Sequence, residues 1–431
     1  MPLNIANSDR KRIVIVGGGF GGLKLANKLK KSNFDIVLLD KYNFHQFQPL
    51  YYQVAMSGLE PSSICFPLRK RFQRTGHVHI RVAEATEVDT NEKRLTTSEG
   101  TIWYDYLILA MGADTNFYGM KEMEERALTL KSISESLHLR NEILNDYEQA
   151  LKSESVEARQ KYLDIAIVGG GPTGVELAGS LAEMRKYILP KEYPEFDYRE
   201  VDIYLIQSDK RILPGMSEKS SKKALRYLEE LEVKVELNSR VKAFNGEYVT
   251  LADERKIEVG KVIWAAGISA NRIAGIPDEN VGPGNRLKVD QYNQLENCND
   301  VFVIGDQSIM ISDEKPYGDP QVAQVAIQQG LLLHRNLLRL AAGKELQPFK
   351  YKDKGMLATI GRNKAVADLP GFHFGGYFAW VVWLFVHLFA LIGTKNKIIV
   401  FLNWTWNYLT YDQSLRLIIR PYKNVEIKDH E

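Results

Sequence analysis

Residues 12–29 read RIVIVGGGFGGLKLANKL. The β-branched apolar residues at the start are typical of a buried strand, and the apolar residues after the glycines have helical spacing. In the turn between them, Gly17 permits a sharp change of direction and Gly19 permits the backbone to approach a pyrophosphate. Gly22 permits the helix to pack closely on the strand, and the first N–H groups of the helix face the anion. This stretch therefore predicts the strand, turn and helix of a dinucleotide-binding fold.

The residue that follows the next predicted strand supports this interpretation. That strand spans residues 34–39 and leads into Asp40, which stands 18 residues after Gly22. A carboxylate at this position accepts hydrogen bonds from the hydroxyls of an adenosine ribose. Because a glycine motif alone also occurs in ordinary turns, the prediction depends on the strand, the helix and the acid around it.

The same unit occurs a second time in the chain. A predicted strand ends at Val168, the loop GGGPTG follows with Gly169, Gly171 and Gly174 in the three key positions, and residues 175–184 form a predicted helix. With two dinucleotide sites on one chain, one cofactor can stay bound while a second nucleotide binds and dissociates. A flavin needs this arrangement when it takes hydride from a nicotinamide.

The second unit departs from the pattern at its ribose position. The predicted strand at residues 201–206 is followed by Gln207, where the first unit has an acid. A carboxylate repels the 2′-phosphate of NADPH, whereas an amide does not. We therefore expect measurable oxidation of NADPH as well as NADH, although the next arginine along the chain is Arg211.

Three further predicted strands end in small turns. These turns contain Gly112, Gly267 and Gly305, and Asp306 follows directly after the third glycine. The first two lie downstream of the two glycine loops, one after each, and so support the duplication. The third would place an N–H group and a carboxylate beside the ribityl and phosphate groups of a flavin. An ordinary turn at the end of a strand remains the alternative for each.

The overall composition excludes several classes of protein. The chain has 431 residues, with 56 Lys and Arg against 54 Asp and Glu, so no positive field is available for nucleic acid. Cys65 and Cys298 are far apart in the sequence, and we expect no disulfide framework, redox-active dithiol or metal site. The polar residues 1–11 predict no signal peptide, which indicates the cytoplasm.

The last part of the chain has a different composition. Residues 369–411 contain no acid, and four of the six tryptophans fall between Trp380 and Trp406. The apolar stretch 377–393 would form a helix of about 25 Å, short of the roughly 30 Å hydrocarbon core of a bilayer. In the run after it, polar residues recur with the spacing of an amphipathic helix, at Asn403, Asn407, Thr410 and Ser414.

Aromatic and basic residues without acids suit the headgroup region of a membrane. We therefore predict that residues 377–411 bind the surface of a bilayer as a peripheral, monotopic attachment. A transmembrane hairpin and burial in a dimer interface are the alternatives for this segment.

Several longer motifs resemble one family of flavoproteins. They are NFHQFQPLYYQVA at residues 43–55, GGGPTGVE at residues 169–176, AQVAIQ at residues 323–328, and the aromatic tail. Together they are similar to the type II NADH dehydrogenases, the single-subunit, non-pumping NADH:quinone oxidoreductases among the two-dinucleotide-binding flavoproteins. The resemblance covers nearly the whole chain.

The resemblance implies two cofactor sites and a quinone site. It implies that FAD is bound by Gly17, Gly19, Gly22, Asp40, Gly305 and Asp306, with Ala323 and Gln324 near the isoalloxazine, and that NADH is bound by Gly169, Gly171, Gly174 and Glu176, with Gly267 close by. Gly112 and Gln207 complete the candidate cofactor-binding residues. Gln324 and Gln328 are implied as quinone-side residues, and their spacing places them on one helix face. A solvated helix face is the alternative for these glutamines, and the resemblance also implies a homodimer.

Glu176 is the candidate for proton chemistry. Hydride transfer brings two electrons and one proton, whereas quinol formation consumes two protons, so some group must deliver the balance. We expect Glu176 to orient the nicotinamide ribose and to relay protons. The alternative is an acid that only stabilises the first turn of its helix through the helix dipole.

We therefore predict an α/β fold with two Rossmann-like dinucleotide-binding domains, the NAD domain being inserted into the FAD domain, and a C-terminal amphipathic helical membrane-binding segment. The predicted boundaries are residues 10–120 and 285–350 for FAD, 121–284 for NAD(P)H and 351–431 for the membrane segment. The predicted reaction passes hydride from NADH to FAD and two electrons to a membrane quinone at the cytoplasmic face. No row of intramembrane carboxylates exists, so we expect no ion pumping.

Three other functions share parts of these features. A sulfide:quinone oxidoreductase needs several well-placed cysteines, which Cys65 and Cys298 do not provide. A flavoprotein reductase for a soluble acceptor needs no apolar tail. A nucleotide-sensing flavoprotein with little turnover would keep both glycine loops but would reduce quinone slowly.

Overall fold

The computed structural model describes residues 2–6, 8–195, 197–412 and 415–419, so Ser414 of the predicted polar helix face lies outside the described residues. The chain divides into two compact units. The first unit comprises Met1–Gln46, Cys65–Asn116 and Ile268–Lys354, and the second comprises Phe47–Ile64, Phe117–Gly267 and Gly355–Glu431. The domain boundaries expected from the sequence stay predictions, since they describe cofactor-binding regions rather than contact-based units.

The strands of the described residues are β1 (Arg12–Val16), β2 (Asp35–Asp40), β3 (Phe44–Gln46), β4 (Cys65–Pro67), β5 (Val78–Val82), β6 (Ala85–Asp89), β7 (Arg94–Thr97), β8 (Gly100–Trp103), β9 (Tyr106–Leu109), β10 (Ala113–Thr115), β11 (Ile165–Val168), β12 (Ile203–Ile206), β13 (Lys234–Glu236), β14 (Val241–Phe244), β15 (Tyr248–Leu251), β16 (Lys256–Glu258), β17 (Lys261–Trp264), β18 (Ile268–Ala270), β19 (Leu287–Lys288), β20 (Val301–Val303), β21 (Ser308–Ile309), β22 (Met356–Gly361), β23 (Lys364–Leu369) and β24 (Phe372–Gly375).

The α-helices of the same residues are α1 (Phe20–Leu29), α2 (Tyr51–Ala55), α3 (Pro61–Ile64), α4 (Leu68–Arg71), α5 (Lys121–Arg126), α6 (Ile133–Ala150), α7 (Val156–Leu163), α8 (Pro172–Tyr187), α9 (Leu189–Glu192), α10 (Glu218–Glu229), α11 (Ala323–Ala341), α12 (Tyr377–Ala390) and α13 (Thr394–Thr410).

The first unit is built on a parallel sheet with the strand order β20-β9-β1-β2-β5. Strand β1 pairs in parallel with β2 on one side and β9 on the other, so that Val14 lies between Val37 and Leu107. All three side chains are fully buried, which explains the continuous apolar run in the sequence. Strand β2 thus lies on one side of β1, and β9, which comes later in the chain, lies on the other. Open α/β sheets bind ligands at the carboxyl end of a central strand of this kind.

The second unit repeats this design. Its parallel sheet has the order β13-β12-β11-β17, with β11 between β12 and β17. A three-stranded antiparallel sheet, β14-β15-β16, belongs to the same unit, as β6-β7-β8 does in the first unit. Residues of both sheets of the second unit share one apolar core that includes Val168, Phe244 and Trp264. The predicted fold with two dinucleotide-binding sheets is therefore confirmed.

The C-terminal part of the second unit forms an antiparallel sheet and two helices. Strands β22, β23 and β24 pair in that order, and α12 and α13 follow. Helix α12 ends at Ala390, three residues before the end of the apolar stretch that was predicted as helix, because Gly393 has a φ of 88° and leads into α13. Among the described residues, no helix is both long and apolar enough to cross a bilayer.

Some element bounds differ from the expectations. Helix α8 begins at Pro172 rather than residue 175 and continues to Tyr187. Proline suits the first helical turn, because that turn leaves its N–H groups unpaired in any case. Strand β12 begins at Ile203, two residues later than predicted, and β2 includes Asp40 as its last residue.

Candidate active site

The first glycine loop joins β1 to α1 and has the shape that the sequence predicts. Gly17 has a φ of 107°, and a Cβ there would lie 2.2 Å from the carbonyl oxygen of Ala110. A Cβ at Gly22 would lie 2.0 Å from the carbonyl oxygen of Gly17, whereas one at Gly19 would meet no atom within 4 Å. Two of the glycines are therefore required by close packing, and the third faces open space.

This open space is a fitting cradle for a pyrophosphate. Gly19 is the N-cap of α1 and offers no capping side chain, so that the first N–H groups of the helix point to the cradle without a side-chain acceptor. A helix terminus of this kind attracts an anion through its N–H groups and its dipole. The residues present thus fit the diphosphate of FAD.

Asp40 lies beside this loop. Its Oδ2 accepts the N–H of Gly18 at 2.6 Å, and its Oδ1 accepts the N–H of Tyr42 at 2.7 Å. Burial raises the pKa of the Asp40 carboxyl, although these two backbone hydrogen bonds act in the opposite direction. The carboxyl therefore holds the loop in place, and its binding of a ribose stays a prediction.

The structure adds a residue that the sequence analysis did not assign. The Nδ1 of His45 lies 2.9 Å from the carbonyl oxygen of Gly18, and the ring packs edge-on against Phe20 at 5.4 Å. Burial lowers the pKa of this imidazole. His45 therefore supports the loop as a neutral side chain. The motif at residues 43–55 contained it, but no local pattern indicated which backbone group it would contact.

The second glycine loop, between β11 and α8, repeats the first. Gly169 has a φ of 114°, and a Cβ at Gly174 would lie 1.9 Å from the carbonyl oxygen of Gly169. Gly171 again faces open space and is the N-cap of α8 without a side-chain hydrogen bond. The second unit therefore carries an equivalent cradle, which fits the diphosphate of NADH.

Gln207 occupies the position in the second unit that Asp40 has in the first. Its Oε1 accepts the N–H of Gly170 at 2.7 Å, and its Nε2 donates to Oδ2 of Asp209 at 2.8 Å. Gln207 is buried and Asp209 is exposed. In the second unit an amide thus stands where the first unit has the carboxylate of Asp40. The amide in turn holds the carboxylate of Asp209 next to the predicted ribose position. No sequence motif indicated Asp209, although it stands only two residues after Gln207.

Glu176 lies in the first turns of α8 and is almost completely buried, with 8% of its surface exposed. Its Oε1 accepts the indole N–H of Trp383 at 3.2 Å and lies 3.4 Å from the backbone N–H of Thr359. Burial raises the pKa of the Glu176 carboxyl to about 8, and the two hydrogen bonds only reduce that shift. At neutral pH the carboxyl is therefore mostly protonated and can give up its proton.

The turn after β20 lies against the start of α11. A Cβ at Gly305 would lie 3.3 Å from the Cβ of Ala326, and one at Gly21 would lie 3.2 Å from the carbonyl oxygen of Ala326. The structure thus brings the first glycine loop, Gly305, Asp306 and Ala323 into one region of the first unit. The N–H of Gly305 donates to Oε1 of Gln329 at 2.7 Å, so this N–H already has an acceptor within the chain.

The two candidate glutamines of α11 have different surroundings. Gln324 is half-buried at the start of the helix. Gln328 holds the backbone of Lys352, because its Nε2 donates to the carbonyl oxygen at 2.9 Å and its Oε1 accepts the N–H at 3.0 Å. These two hydrogen bonds attach the segment around Lys352 to α11. A role of Gln328 on the quinone side stays a prediction.

Gly112 and Gly267 end their strands in different ways. Gly112 has a φ of 70°, and a Cβ there would meet no atom within 4 Å. A Cβ at Gly267 would lie 2.2 Å from the hydroxyl oxygen of Tyr118, which donates to the carbonyl oxygen of Ala266 at 3.3 Å. Gly112 belongs to the first unit, whereas Gly267 belongs to the second. Thr359 and Trp383, the two hydrogen-bond partners of Glu176, also belong to the second unit.

Comparisons with known proteins identify the family of this chain. A family described as pyridine nucleotide-disulphide oxidoreductase matches residues 11–330, and one described as the NDH2 C-terminal domain matches residues 354–411. Two type II NADH:quinone oxidoreductases of Mycobacterium tuberculosis, Ndh and NdhA, are 34% and 33% identical to the chain. The matches cover 93% and 94% of this chain and 89% and 88% of those proteins.

A solved structure shows the same fold. NDH2 from Plasmodium falciparum, in complex with NADH, matches with a TM-score of 0.87 at 21% identity, over 95% of this chain and 100% of that chain. The resemblance inferred from the sequence is confirmed by the family matches. This chain belongs to the pyridine nucleotide-disulphide oxidoreductases and, among them, to the type II NADH:quinone oxidoreductases.

Proposed function

We propose that the residues described above carry out NADH:quinone oxidoreduction at the surface of a membrane. Membership of the family gives the reaction class: NADH is oxidised, FAD is the flavin, a quinone is reduced, and no ions are pumped. The observation that carries the assignment of residues is the pair of glycine cradles, each at the carboxyl end of a central parallel strand. When bound, FAD would supply the acceptor for the hydride of NADH and the donor of two electrons to the quinone.

The chain's own groups bind and orient the two cofactors. In the first unit the N–H groups at the N-terminus of α1 would bind the diphosphate of FAD, and the Asp40 carboxylate would accept hydrogen bonds from the ribose hydroxyls. In the second unit the N-terminus of α8 and Gln207 would do the same for NADH. Gln324, at the start of α11, is the quinone-side candidate of the first unit.

Glu176 would handle the proton that the reaction consumes. One NADH, one quinone and one proton from solution give one NAD⁺ and one quinol, so each turnover takes up one proton. A carboxyl with a pKa of about 8 holds a proton at neutral pH and releases it without a large cost. The indole of Trp383 fixes the orientation of Oε1.

The C-terminal helices would attach the enzyme to the bilayer. Their exposed apolar and aromatic side chains are Tyr377, Phe378, Phe385, Val386, Phe389, Ile398, Phe401, Leu402, Trp406, Tyr408 and Leu409. Water-exposed aromatic surface of this extent is typical of a protein or membrane contact. The absence of acids in residues 369–411 and the presence of Lys395 and Lys397 favour a membrane with anionic lipids. The cytoplasmic face and the homodimer stay predictions.

Changes on this surface test the attachment. Phe389 is 69% exposed and Leu409 is 72% exposed, so replacing both with Glu removes apolar contact with lipid without opening the core. Burying each side chain in lipid is worth about 1.5–3 kcal/mol, so the partition coefficient onto anionic liposomes should fall at least about tenfold. The matched control is Trp103→Glu, an exposed aromatic of the first unit, and co-sedimentation is the measurement. Equal co-sedimentation of all three proteins contradicts the attachment by these helices.

A rapid-mixing experiment tests the whole proposal. Anaerobic NADH should bleach the flavin of the holoenzyme in liposomes within one turnover time, and a menaquinone or ubiquinone analogue should reoxidise it. Reoxidation by soluble acceptors alone would indicate a reductase of soluble partners. Slow bleaching followed by slow reoxidation would indicate a nucleotide sensor.

We propose in addition that NADPH is a weaker substrate than NADH. The amide of Gln207 removes one repulsive charge from the ribose position, and Asp209 restores one beside it. The preference for NADH over NADPH depends on how strongly the carboxylate of Asp209 repels the 2′-phosphate that the amide of Gln207 tolerates.

A further inference from the structure

One face of α8 carries a second acid. Glu176, Ser180, Glu183 and Tyr187 follow one another with helical spacing along the same face. Strand β22 runs beside this face, because a Cβ at Gly179 would lie only 1.7 Å from the carbonyl oxygen of Ile360. The two acids are therefore held by neighbouring backbone groups of the same strand and the turn after it.

The carboxyl of Glu183, like that of Glu176, accepts a hydrogen bond from a backbone N–H group. Its Oε1 accepts the backbone N–H of Arg362 at 2.6 Å. Burial raises the pKa of the Glu183 carboxyl, and its contacts with Arg362 and Lys364 counteract part of this shift. The charges of Arg362 and Lys364 act on Glu183, and the Tyr52 hydroxyl interacts with it electrostatically. Tyr187 and Tyr411 line the same pocket.

The positive charges near Glu183 have other partners. Arg362 stacks on the ring of Tyr411 at 3.2 Å and donates to the carbonyl oxygens of Asn407 and Tyr408 at the end of α13. Lys364 pairs with Glu230 at 2.9 Å. Glu183 is therefore not locked in an ion pair with either side chain, which leaves its carboxyl free to change protonation state.

A pocket of about 120 Å³ connects this acid with the surroundings of Glu176. Glu183 lines the pocket, and so do Thr359 and Trp383, the two hydrogen-bond donors to Glu176. Tyr408 and Tyr411 also line it and are exposed, so that the pocket reaches the surface. A space of this size, with polar groups such as Glu183 and Tyr52 on its wall, holds several water molecules.

Tyr52 lies on the wall of the same pocket and interacts electrostatically with both acids. Its hydroxyl accepts the side-chain N–H of Gln53 at 2.9 Å, and the Oε1 of Gln53 accepts the indole N–H of Trp404 at 2.7 Å. Burial raises the pKa of the Tyr52 hydroxyl, and the charges of both Glu176 and Glu183 raise it further. The hydroxyl is thus a neutral, oriented group that can pass a proton.

We propose that Glu183 is a proton-relay residue that loads protons from the water of this pocket and passes them through Tyr52 and pocket water to Glu176. The inference rests on the proposed function, since it concerns the proton consumed in each turnover. Glu183 releases one proton toward Glu176 and regains one from solution, so both carboxyls end the cycle as they began it. No electron passes along this path.

Glu183→Gln tests the relay because the amide oxygen can still accept the N–H of Arg362. In the holoenzyme, turnover with a quinone analogue should fall about tenfold or more, and the loss should be larger at pH 8 than at pH 6. Ferricyanide takes electrons without protons, so turnover with it should stay unchanged, as should the flavin content. The solvent deuterium isotope effect on quinone turnover should rise, and a small weak acid such as acetate should restore part of the rate.

Glu230→Gln is the matched control, because it removes an exposed carboxylate that pairs with Lys364, whereas Glu183 lines the pocket. It should leave both activities unchanged. Tyr52→Phe provides a second variant and should show the same selective loss as Glu183→Gln. Unchanged quinone turnover in Glu183→Gln overturns the relay, and so does an equal loss with quinone and ferricyanide. If the unaltered protein itself reduces no quinone, the proposed function fails instead.

Discussion

Replacing Glu176 with Gln should change how stability depends on pH. The pKa of this carboxyl is raised from 4.5 to about 8 by burial. The folded protein therefore keeps a proton that the unfolded chain releases above pH 4.5. Because the folded state binds more protons in this window, the free energy of unfolding falls as pH rises from about 4.5 to about 8. The stabilising contribution is complete below the unfolded pKa and is lost as pH passes the folded pKa.

The size of the effect follows from the two pKa values. Each pH unit inside the window costs at most about 1.4 kcal/mol, and the whole window amounts to about 5 kcal/mol. Between pH 5.5 and 8.5 the expected change is about 3 kcal/mol. Gln stays neutral throughout, so Glu176→Gln should gain about this much stability relative to the unaltered protein over that range.

Urea unfolding of both holoproteins at several pH values measures the difference. Groups other than Glu176 titrate alike in the two proteins, so their contributions cancel in the comparison, provided that the flavin content is equal. The control is Glu230→Gln, because hydrogen bonds from Lys364 and Arg226 lower the pKa of Glu230. Glu230 is therefore ionised in both the folded and the unfolded state from pH 5.5 to 8.5, so the stability difference between Glu230→Gln and the unaltered protein should not change with pH in this range. A difference between Glu176→Gln and the unaltered protein that stays within about 0.5 kcal/mol from pH 5.5 to 8.5 refutes the buried, protonated carboxyl.

Two further predictions concern the nucleotide sites. Gly19→Ala should leave the stability of the flavin-free protein within about 0.5 kcal/mol but weaken FAD binding at least about tenfold, measured by fluorescence titration, because its Cβ enters open space at the cradle. Gly22→Ala should lower the melting temperature of the flavin-free protein, since its Cβ would meet the carbonyl oxygen of Gly17 at 2.0 Å; equal melting temperatures for both variants contradict this reasoning. Asp209→Asn should raise kcat/KM for NADPH about tenfold relative to NADH, by removing the carboxylate next to Gln207. An unchanged ratio of the two kcat/KM values shows that Asp209 does not face the 2′-phosphate.

The sequence alone was sufficient for the parts of the molecule that depend on neighbouring residues. The two glycine loops, their strands and helices and the position of Asp40 follow from local rules, because the turn, the helix terminus and the buried strand are all built within about thirty residues. The same holds for the apolar helix α12 and the amphipathic helix α13 at the end of the chain. These local patterns were strong enough to predict the fold class and the resemblance to a family.

The tertiary structure decided the chemistry of the acids. Glu176 stands in the first turns of a helix, where an ordinary acid is common, and only its contacts with Thr359 and Trp383, far along the chain, make it a buried proton donor. Glu183 drew no attention in the sequence, because nothing near it in the chain predicts the pocket around it. A pKa depends on which groups replace water around a carboxyl. Those groups come from segments that only the folded chain brings together, so no local pattern can reveal them.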